Sequence, residues 1–524
     1  MAGTMLGRLS QSRPYICRQC TSQLVRSRRP FSVGSALLQT ASHEGNGNVL
    51  ELLESRGYIK EIAGDRDALN QILQKKQVGI YAGIDPTAPS LHLGHLLPLM
   101  VLFWLYNHGH HTVSLVGGAT ARVGDPSGRL TSREKTQTSI QEANFQALYK
   151  EVGRLWENAA KYGQRHGFEP KQTWRKTLLD NAEWLLKLNV VSFLQMLGTG
   201  MRIGTMLGRD TVKNKMEKGD GMSFAEFTYP LLQGWDWWHM FANHDVQLQV
   251  GGSDQYGNIV AGMDAIKHIT LNNPETLEGK DMLDASGKLK DERSPMGITV
   301  PLLTTASGEK FGKSAGNAIW LDKNMTSPFD LYGFLLRSSD ADVARYLSLF
   351  TFVPLSTIKA TMAAHEEDPG KRLAQHLLAS EVLELVHGRG EAVRTREQHQ
   401  AMRNPSIAGL REMKGERTVL PRSLVAGTPF ARVLWHAGIA GTKSEAARLL
   451  KSGGVYVASG PEQQFAQVKD QTPEDIESFA DDVIVLRMGK WKVRIVEIVD
   501  DVVFEEEGKQ AQGWEEWKES NTRS

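Results

Sequence analysis

Cysteine is almost missing from this 524-residue chain. Cys17 and Cys20 form a lone CxxC with no further cysteine to complete a zinc or redox site, so a disulfide framework is excluded. Long apolar runs are missing as well. Nothing approaches the ~20 residues that span a bilayer, and no membrane partner is expected. Charge of one sign is not in excess, since 61 Lys+Arg face 60 Asp+Glu and leave +1. Any contact with nucleic acid must therefore come from local basic patches. Internal repeats are absent. Acidic residues are absent between Met1 and His43, where Arg8, Arg13, Arg18, Arg26, Arg28 and Arg29 are scattered among serines and apolar residues. This is the composition of a mitochondrial or chloroplast transit peptide. Arg29-Pro30-Phe31 before Ser32 suits a processing site, so residues 1–31 are expected to be removed.

What is present, 40% hydrophobic and 23% charged, is an ordinary globular composition with length for about three domains of roughly 150 residues. Val49 to Ala63 reads as an amphipathic helix with Leu52, Leu53, Ile59 and Ile62 on one side. Val78 to Ile84 is a compact apolar run, suited to a buried parallel strand, that ends in Asp85-Pro86-Thr87. Leu93 to Tyr106 carries helical spacing, and Thr112 to Val116 is a second strand ending in Gly117-Gly118. Strand, helix, strand within about 40 residues is a βαβ unit, so an α/β fold with a Rossmann-like parallel sheet is expected. Helical spacing dominates Gln141 to Phe241, and a third strand at Val246 to Val250 ends in Gly251-Gly252. Ligands of such sheets bind beyond the carboxyl ends of the strands, so all three ends point to one crevice. A polar stretch between Pro274 and Pro295 reads as a surface insertion, and Leu331 to Arg394 as helical. A small α+β unit is expected at 420–500, then an acidic flexible tail at 501–524. His108, His110 and His111 read as solvated loop histidines rather than metal ligands.

His92-Leu93-Gly94-His95 opens the helix after the first strand. A helix start attracts phosphate through its free N–H groups and dipole. Two histidines there add donors, and Gly94 lets an adenine ring approach the backbone. Some 200 residues on, Lys310-Phe311-Gly312-Lys313-Ser314 lies in a polar loop. It fails as a phosphate-binding GxxxxGK[ST] loop because the first glycine falls at Ser307. Two lysines there suit a reaction in which charge builds on a departing pyrophosphate and is stabilised in the transition state.

HxGH on the first crossover with KFGKS late in the same α/β region resembles the class I aminoacyl-tRNA synthetases. The stretches Tyr81 to His95, Gly117 to Thr120, Gly124 to Gly128, Ser223 to Tyr229 and Gly251 to Asn258 narrow this to the bacterial-type tyrosyl-tRNA synthetases, from Val49 to Val499. The resemblance implies a catalytic domain at 45–330 with a connective insertion, and a helical anticodon-binding domain with its linker at 331–415. It further implies an S4-like RNA-binding domain at 420–500. Tyr81 and Asp236 are then expected to hold the phenol of tyrosine, and Asp125, Tyr229 and Gln233 its ammonium group, with Gln255 facing its carboxylate. Gly83, Asp85, Gly94, Gly252, Asp254 and Lys313 are expected to bind ATP. Thr87, His92, His95, Lys310 and Lys313 are expected to contact phosphates in the transition state. Arg129 and Arg133 lie where family members carry basic residues on a loop.

The implied partners are tyrosine, ATP with its Mg2+ as substrate, tRNA(Tyr) and a second copy of the chain, with Phe224 near the interface. No tightly bound cofactor and no protein-held metal are expected, and the implied place of work is the mitochondrial matrix. Arg202, Arg209, Lys213, Lys215 and Lys218 form a basic stretch suited to an acceptor stem. Lys443, Arg448, Lys451, Lys490, Lys492 and Arg494 form another in the S4-like unit. The nearest rival is a tryptophanyl-tRNA synthetase, against which Tyr81 with Asp236 and the GGSDQYGN stretch argue. The rival of a different class is an RNA-binding role in folding group I introns, as the main or an added function. The segments at Val49–Ala63 and Asp281–Ser294 would then serve as its surface.

Overall fold

The structure is a computed structural model that describes residues 47–131, 137–277, 281–304, 318–403, 417–459, 464–468, 472–475, 482–488 and 492–521. The transit segment 1–31, Arg133, Lys490 and the lysine motif at 310–314 lie outside the described residues. The chain divides into two compact units, Met1–Ala318 with Ser339–Ala374, and Ile319–Ser338 with Gln375–Ser524. The boundary expected near 330 is therefore interleaved.

The first unit opens with helix α1 (Val49–Arg56), capped by the Asn48 side chain, which accepts from the Leu50 amide at 3.0 Å. The helix expected to run to Ala63 stops at Gly57, whose φ of 84° is one that glycine adopts without strain. Ile62 lies instead on strand β1 (Glu61–Ala63). Then follow α2 (Arg66–Lys75), β2 (Gly79–Ile84), α3 (Leu93–Asn107), β3 (His111–Val116), α4 (Thr138–Arg165) and β4 (Lys176–Asp180). After these come α5 (Asp210–Lys218), α6 (Phe224–His244), β5 (Val246–Gly252), α7 (Tyr256–Asn272) and β6 (Met296–Val300). The six strands form one sheet in the order β1-β6-β5-β2-β3-β4. All neighbouring pairs are parallel except β1 on β6. The sequence hid β4 within a helical stretch because an edge strand is only half covered, and its burial shows no apolar run. The insertion before β6 is anchored at both ends, with Leu277 and Met282 in the core and the Gln247 side chain donating to the Glu292 and Ser294 carbonyls.

α3 is apolar all round and buried along nearly its whole length. One turn of chain fastens it. The Arg56 guanidinium lies 4.3 Å over the Trp104 ring and donates to the carbonyls of Ser348, Thr351 and Val353. Tyr58 adds a bond to the Leu349 carbonyl at 2.7 Å. These carbonyls lie at the end of α9 (Asp340–Phe350), which follows α8 (Pro328–Leu336) of the second unit and precedes α10 (Leu355–Glu367). Two of the three histidines expected in solvent are not there, and His108 is half-buried. His110 and His111 are buried, and burial pushes both down to about 4. His110 Nδ1 accepts from the Val78 amide, His111 Nε2 meets Thr177 Oγ1 at 3.0 Å, and His108 Nδ1 meets the Trp104 carbonyl at 2.8 Å. Among the described residues no group of His, Cys, Asp and Glu is placed to hold a metal.

The second unit contains α8, α11 (Leu373–His387) and α12 (Arg389–Arg403), then a five-stranded sheet. Its strands are β7 (Arg417–Pro421), β8 (Val455–Ser459), β9 (Gln464–Gln467), β10 (Val483–Met488) and β11 (Lys492–Val499), in the order β7-β11-β10-β8-β9. Helices at Phe430–His436 and Lys443–Lys451 cover it, with Phe430, Val433 and Leu434 in the shared core. The tail expected to be flexible is instead two helices, Asp501–Glu506 and Trp514–Asn521. Phe504 and Trp514 are buried against Leu424, a packing role hidden by the surrounding glutamates.

Removing the Arg56 guanidinium strands three carbonyls and uncovers Trp104. Arg56→Ala should destabilise the first unit by about 3 kcal/mol, read as a lower urea midpoint at unchanged slope.

Candidate active site

The parallel strands β2, β3, β4, β5 and β6 all deliver their carboxyl ends to one cleft of ≈ 330 Å³. Tyr81, Gly83, Asp85, Thr87, His92, Gly94 and His95 enter it from β2 and the start of α3. Asp125, Tyr229, Gln233, Asp236, Gly252, Asp254 and Gln255 line it as well. Of the residues expected to meet tyrosine, ATP or the phosphates, Lys310 and Lys313 lie outside the described residues.

At the rim the two histidines form a capping box. The Gly94 amide donates to His92 Nδ1 at 3.1 Å, and the His92 amide donates to His95 Nδ1 at 3.2 Å. Their rings stack with centroids 3.9 Å apart. Each Nδ1 is thus an acceptor, so a neutral ring carries its proton on Nε2. Burial, reinforced by His92, pushes His95 down to about 3 and keeps it neutral. Gly94 is needed by His92 itself, since a Cβ there would sit 2.9 Å from His92 Cε1.

At the floor lies Asp236. Trp184 Nε1 donates to its Oδ1 at 2.7 Å and Asn181 Nδ2 to its Oδ2 at 2.9 Å. Burial still pushes Asp236 up to about 8, against the pull of those two donors. Tyr81 shares this floor. Its hydroxyl is buried with no protein partner, and burial followed by the Asp236 charge raises it well above the usual phenol range. Both donors come from the chain just beyond β4, so Asp236 is held from outside its own helix.

Between rim and floor the polar groups form a network. Tyr229 donates to Asp85 Oδ2 at 2.9 Å, Thr120 to Asp85 Oδ1 at 2.7 Å, and Asn181 Nδ2 to Thr120 Oγ1 at 2.9 Å. A Cβ on Gly117 would collide with Asp85 and Thr120, so the strand must end in glycine there. On the other side Gln255 donates to Asp125 Oδ2 at 2.7 Å, and Asn258 donates to Gln233 at 3.1 Å and to Gln255 at 3.2 Å. Sequence reasoning missed Asn181 and Trp184 as holders of Asp236. They follow a strand that left no periodic signal, and a single sequence offers no other mark.

A parallel-sheet cleft with paired imidazoles at the start of the first crossover helix is the arrangement expected of a class I aminoacyl-tRNA synthetase. Residues 73–403 match the family described as tRNA synthetases class I (W and Y), and residues 409–516 match the tyrosyl-tRNA synthetase C-terminal domain. The mitochondrial tyrosine–tRNA ligase of Podospora anserina is 42% identical over 90% of this chain and 76% of its own length. The human mitochondrial tyrosine–tRNA ligase is 39% identical over 76% and 79%. A C-terminally truncated mitochondrial tyrosyl-tRNA synthetase from Aspergillus nidulans is 47% identical and superposes with a TM-score of 0.63, covering 69% of this chain and 95% of that one. The chain belongs to the class I tyrosine–tRNA ligases.

Asp236 binds its proton more tightly in the folded chain (about 8) than in an unfolded one (near 3.8), so it lowers stability as pH rises between those values. Asp236→Asn carries no such charge. Its melting temperature relative to the parent should be higher at pH 8 than at pH 5, and a difference that stays flat across that range would overturn the assignment.

Proposed function

We propose that the cleft binds L-tyrosine with its phenol against Asp236 and Tyr81 and joins its carboxylate to the α-phosphorus of ATP, before passing the tyrosyl group to the 3' end of tRNA(Tyr). The observation that carries this reading is the Tyr81 hydroxyl, buried and unpartnered on the floor beside a carboxylate whose two oxygens are already oriented. A phenol hydroxyl donates to Asp236 and gives Tyr81 a partner. Phenylalanine leaves the Tyr81 hydroxyl unsatisfied and Asp236 one donor short, which costs a buried polar group its solvation. The ammonium group faces Asp125, Tyr229 and Gln233, and Gln255 faces the reacting carboxylate. Asp85, Gly83, Gly94, Gly252, Asp254 and Lys313 position ATP.

In the first step a tyrosine carboxylate oxygen forms a bond to the α-phosphorus while the bond to pyrophosphate breaks. No protein nucleophile or base is required, so positioning and electrostatics supply the acceleration. His92 and His95 offer Nε2–H donors to the phosphates, joined by Thr87 and by Lys310 and Lys313. The Mg2+ that accompanies ATP offsets phosphate charge. In the second step a ribose hydroxyl of the RNA terminus attacks the tyrosyl carbonyl and AMP leaves.

The setting is the mitochondrion, supported by the acid-free leader, and we place the enzyme in the matrix. A homodimer is supported by an exposed apolar surface at Val190, Val191, Leu194, Ile203, Leu207 and Phe224, the last 80% exposed. Arg202, Lys213 and Lys218 are exposed and suit an acceptor stem, as do Lys443, Arg448 and Lys451 for structured RNA, whereas Lys215 is buried and leaves the basic stretch. An added role on group I intron RNA would fall to the 281–294 segment, because α1 has its apolar face covered.

ATP–pyrophosphate exchange with tyrosine, phenylalanine and tryptophan tests the reading. Exchange is expected with tyrosine alone and should vanish in Asp236→Ala. Tyr81→Phe should lower kcat/KM for tyrosine roughly tenfold, as expected for one hydrogen bond. Exchange driven by tryptophan would overturn the substrate assignment.

A further inference from the structure

Lys215 was expected among the RNA-facing cations, yet its side chain is fully buried. Its Nζ bonds to Glu226 Oε1 and lies 3.8 Å from Asp220 Oδ1. Burying an ammonium is costly unless it is paired, so this lysine holds something that the surface does not need.

What it holds is the first turn of α6. Glu226 is the third residue of that helix, and its Oε2 accepts from both the amide and the hydroxyl of Ser223 at 3.0 Å. The Ser223 hydroxyl in turn accepts from the Glu226 amide at 3.2 Å. One turn later stands Pro230, which has no N–H to return to the Glu226 carbonyl. The Glu226 carbonyl thus lacks its usual intrahelical donor at the residue whose side chain caps the helix. Burial pushes Glu226 up, and the bonds from Lys215 and Ser223 more than offset it, leaving the carboxyl below its usual range.

Tyr229, Gln233 and Asp236 follow on this same helix, at spacings of four and three that put them on one face. The lysine also closes the turn before α6. The Gly219 amide donates to the Lys215 carbonyl at 3.1 Å, and the Asp220 amide to the Leu130 carbonyl at 3.2 Å. A Cβ on Gly219 would overlap both of those carbonyls, so α5, the turn and the chain just beyond Asp125 are pressed together here.

We propose that Lys215 is a positioning residue of the amino-acid site, whose ion pair with Glu226 sets the start of α6 and thereby the placement of Tyr229, Gln233 and Asp236. The inference rests on the reading of those three as tyrosine ligands. The effect is carried to the amino-acid side of the cleft through α6 and leaves the imidazole rim, on α3, alone.

Exchange kinetics test it by separating the two substrates. Lys215→Met should raise KM for tyrosine roughly tenfold or more and KM for ATP by clearly less, since α6 reaches the nucleotide side through the Tyr229–Asp85 bond. Lys215→Arg, which keeps the pair, should restore both. Lys215→Met also strands a buried carboxylate and lowers stability, so Lys215→Met with Glu226→Met is measured beside it. Replacing a buried pair by apolar groups of similar volume is often neutral for stability. The double variant is expected to recover the melting temperature but keep the raised KM, because the Ser223–Glu226 box is gone. Equal shifts in both KM values, or a double variant that recovers KM together with stability, would overturn the positioning role. A parent enzyme with no tyrosine-dependent exchange would instead overturn the substrate reading on which it stands.

Discussion

A carboxylate placed among aromatic rings, out of reach of water, must be given donors, and much of the polar architecture of the cleft follows from giving them to Asp236. Asn181 and Trp184 supply them from the chain just beyond β4. The second hydrogen of the same Asn181 amide holds Thr120, Thr120 holds Asp85, and Asp85 takes the Tyr229 hydroxyl. One chain of hydrogen bonds thus ties the ends of β2, β3 and β4 to α6. Its members order one another, so the floor is fixed before any ligand arrives.

That fixity suits the chemistry. Adenylate formation asks for no covalent help from the protein, only for reactants held in line and charge met where it develops. The rim is organised as firmly as the floor. Each imidazole has its Nδ1 occupied by a backbone amide, which puts the ring proton of a neutral imidazole on Nε2, and burial keeps His95 neutral. His95 is thus an oriented donor rather than a charge, and positive potential at this end comes from the helix start.

Much of this was legible in the chain. The strand that ends at Asp85, the capping histidines and the glycine pairs announce themselves because each obeys a local rule of period, cap or turn. Parts governed by partial burial did not. β4 lies at an edge and carries no apolar run, so Asn181 and Trp184 were invisible with it. The acidic tail reads as solvated by its glutamates, while its packing rests on two aromatic side chains, Phe504 and Trp514.

The sequence by itself determined the α/β class and the crevice at the strand ends, because those follow from short-range pattern, and through its family resemblance it pointed to the residues we propose for tyrosine and ATP. Only the tertiary structure decided which charges are free. Lys213 and Lys218 face solvent while Lys215, on the same helix, is buried against Glu226. Composition counts the three alike. Whether a lysine attracts RNA or anchors a helix depends on what the rest of the chain packs over it, and that is a property of contacts distant in sequence.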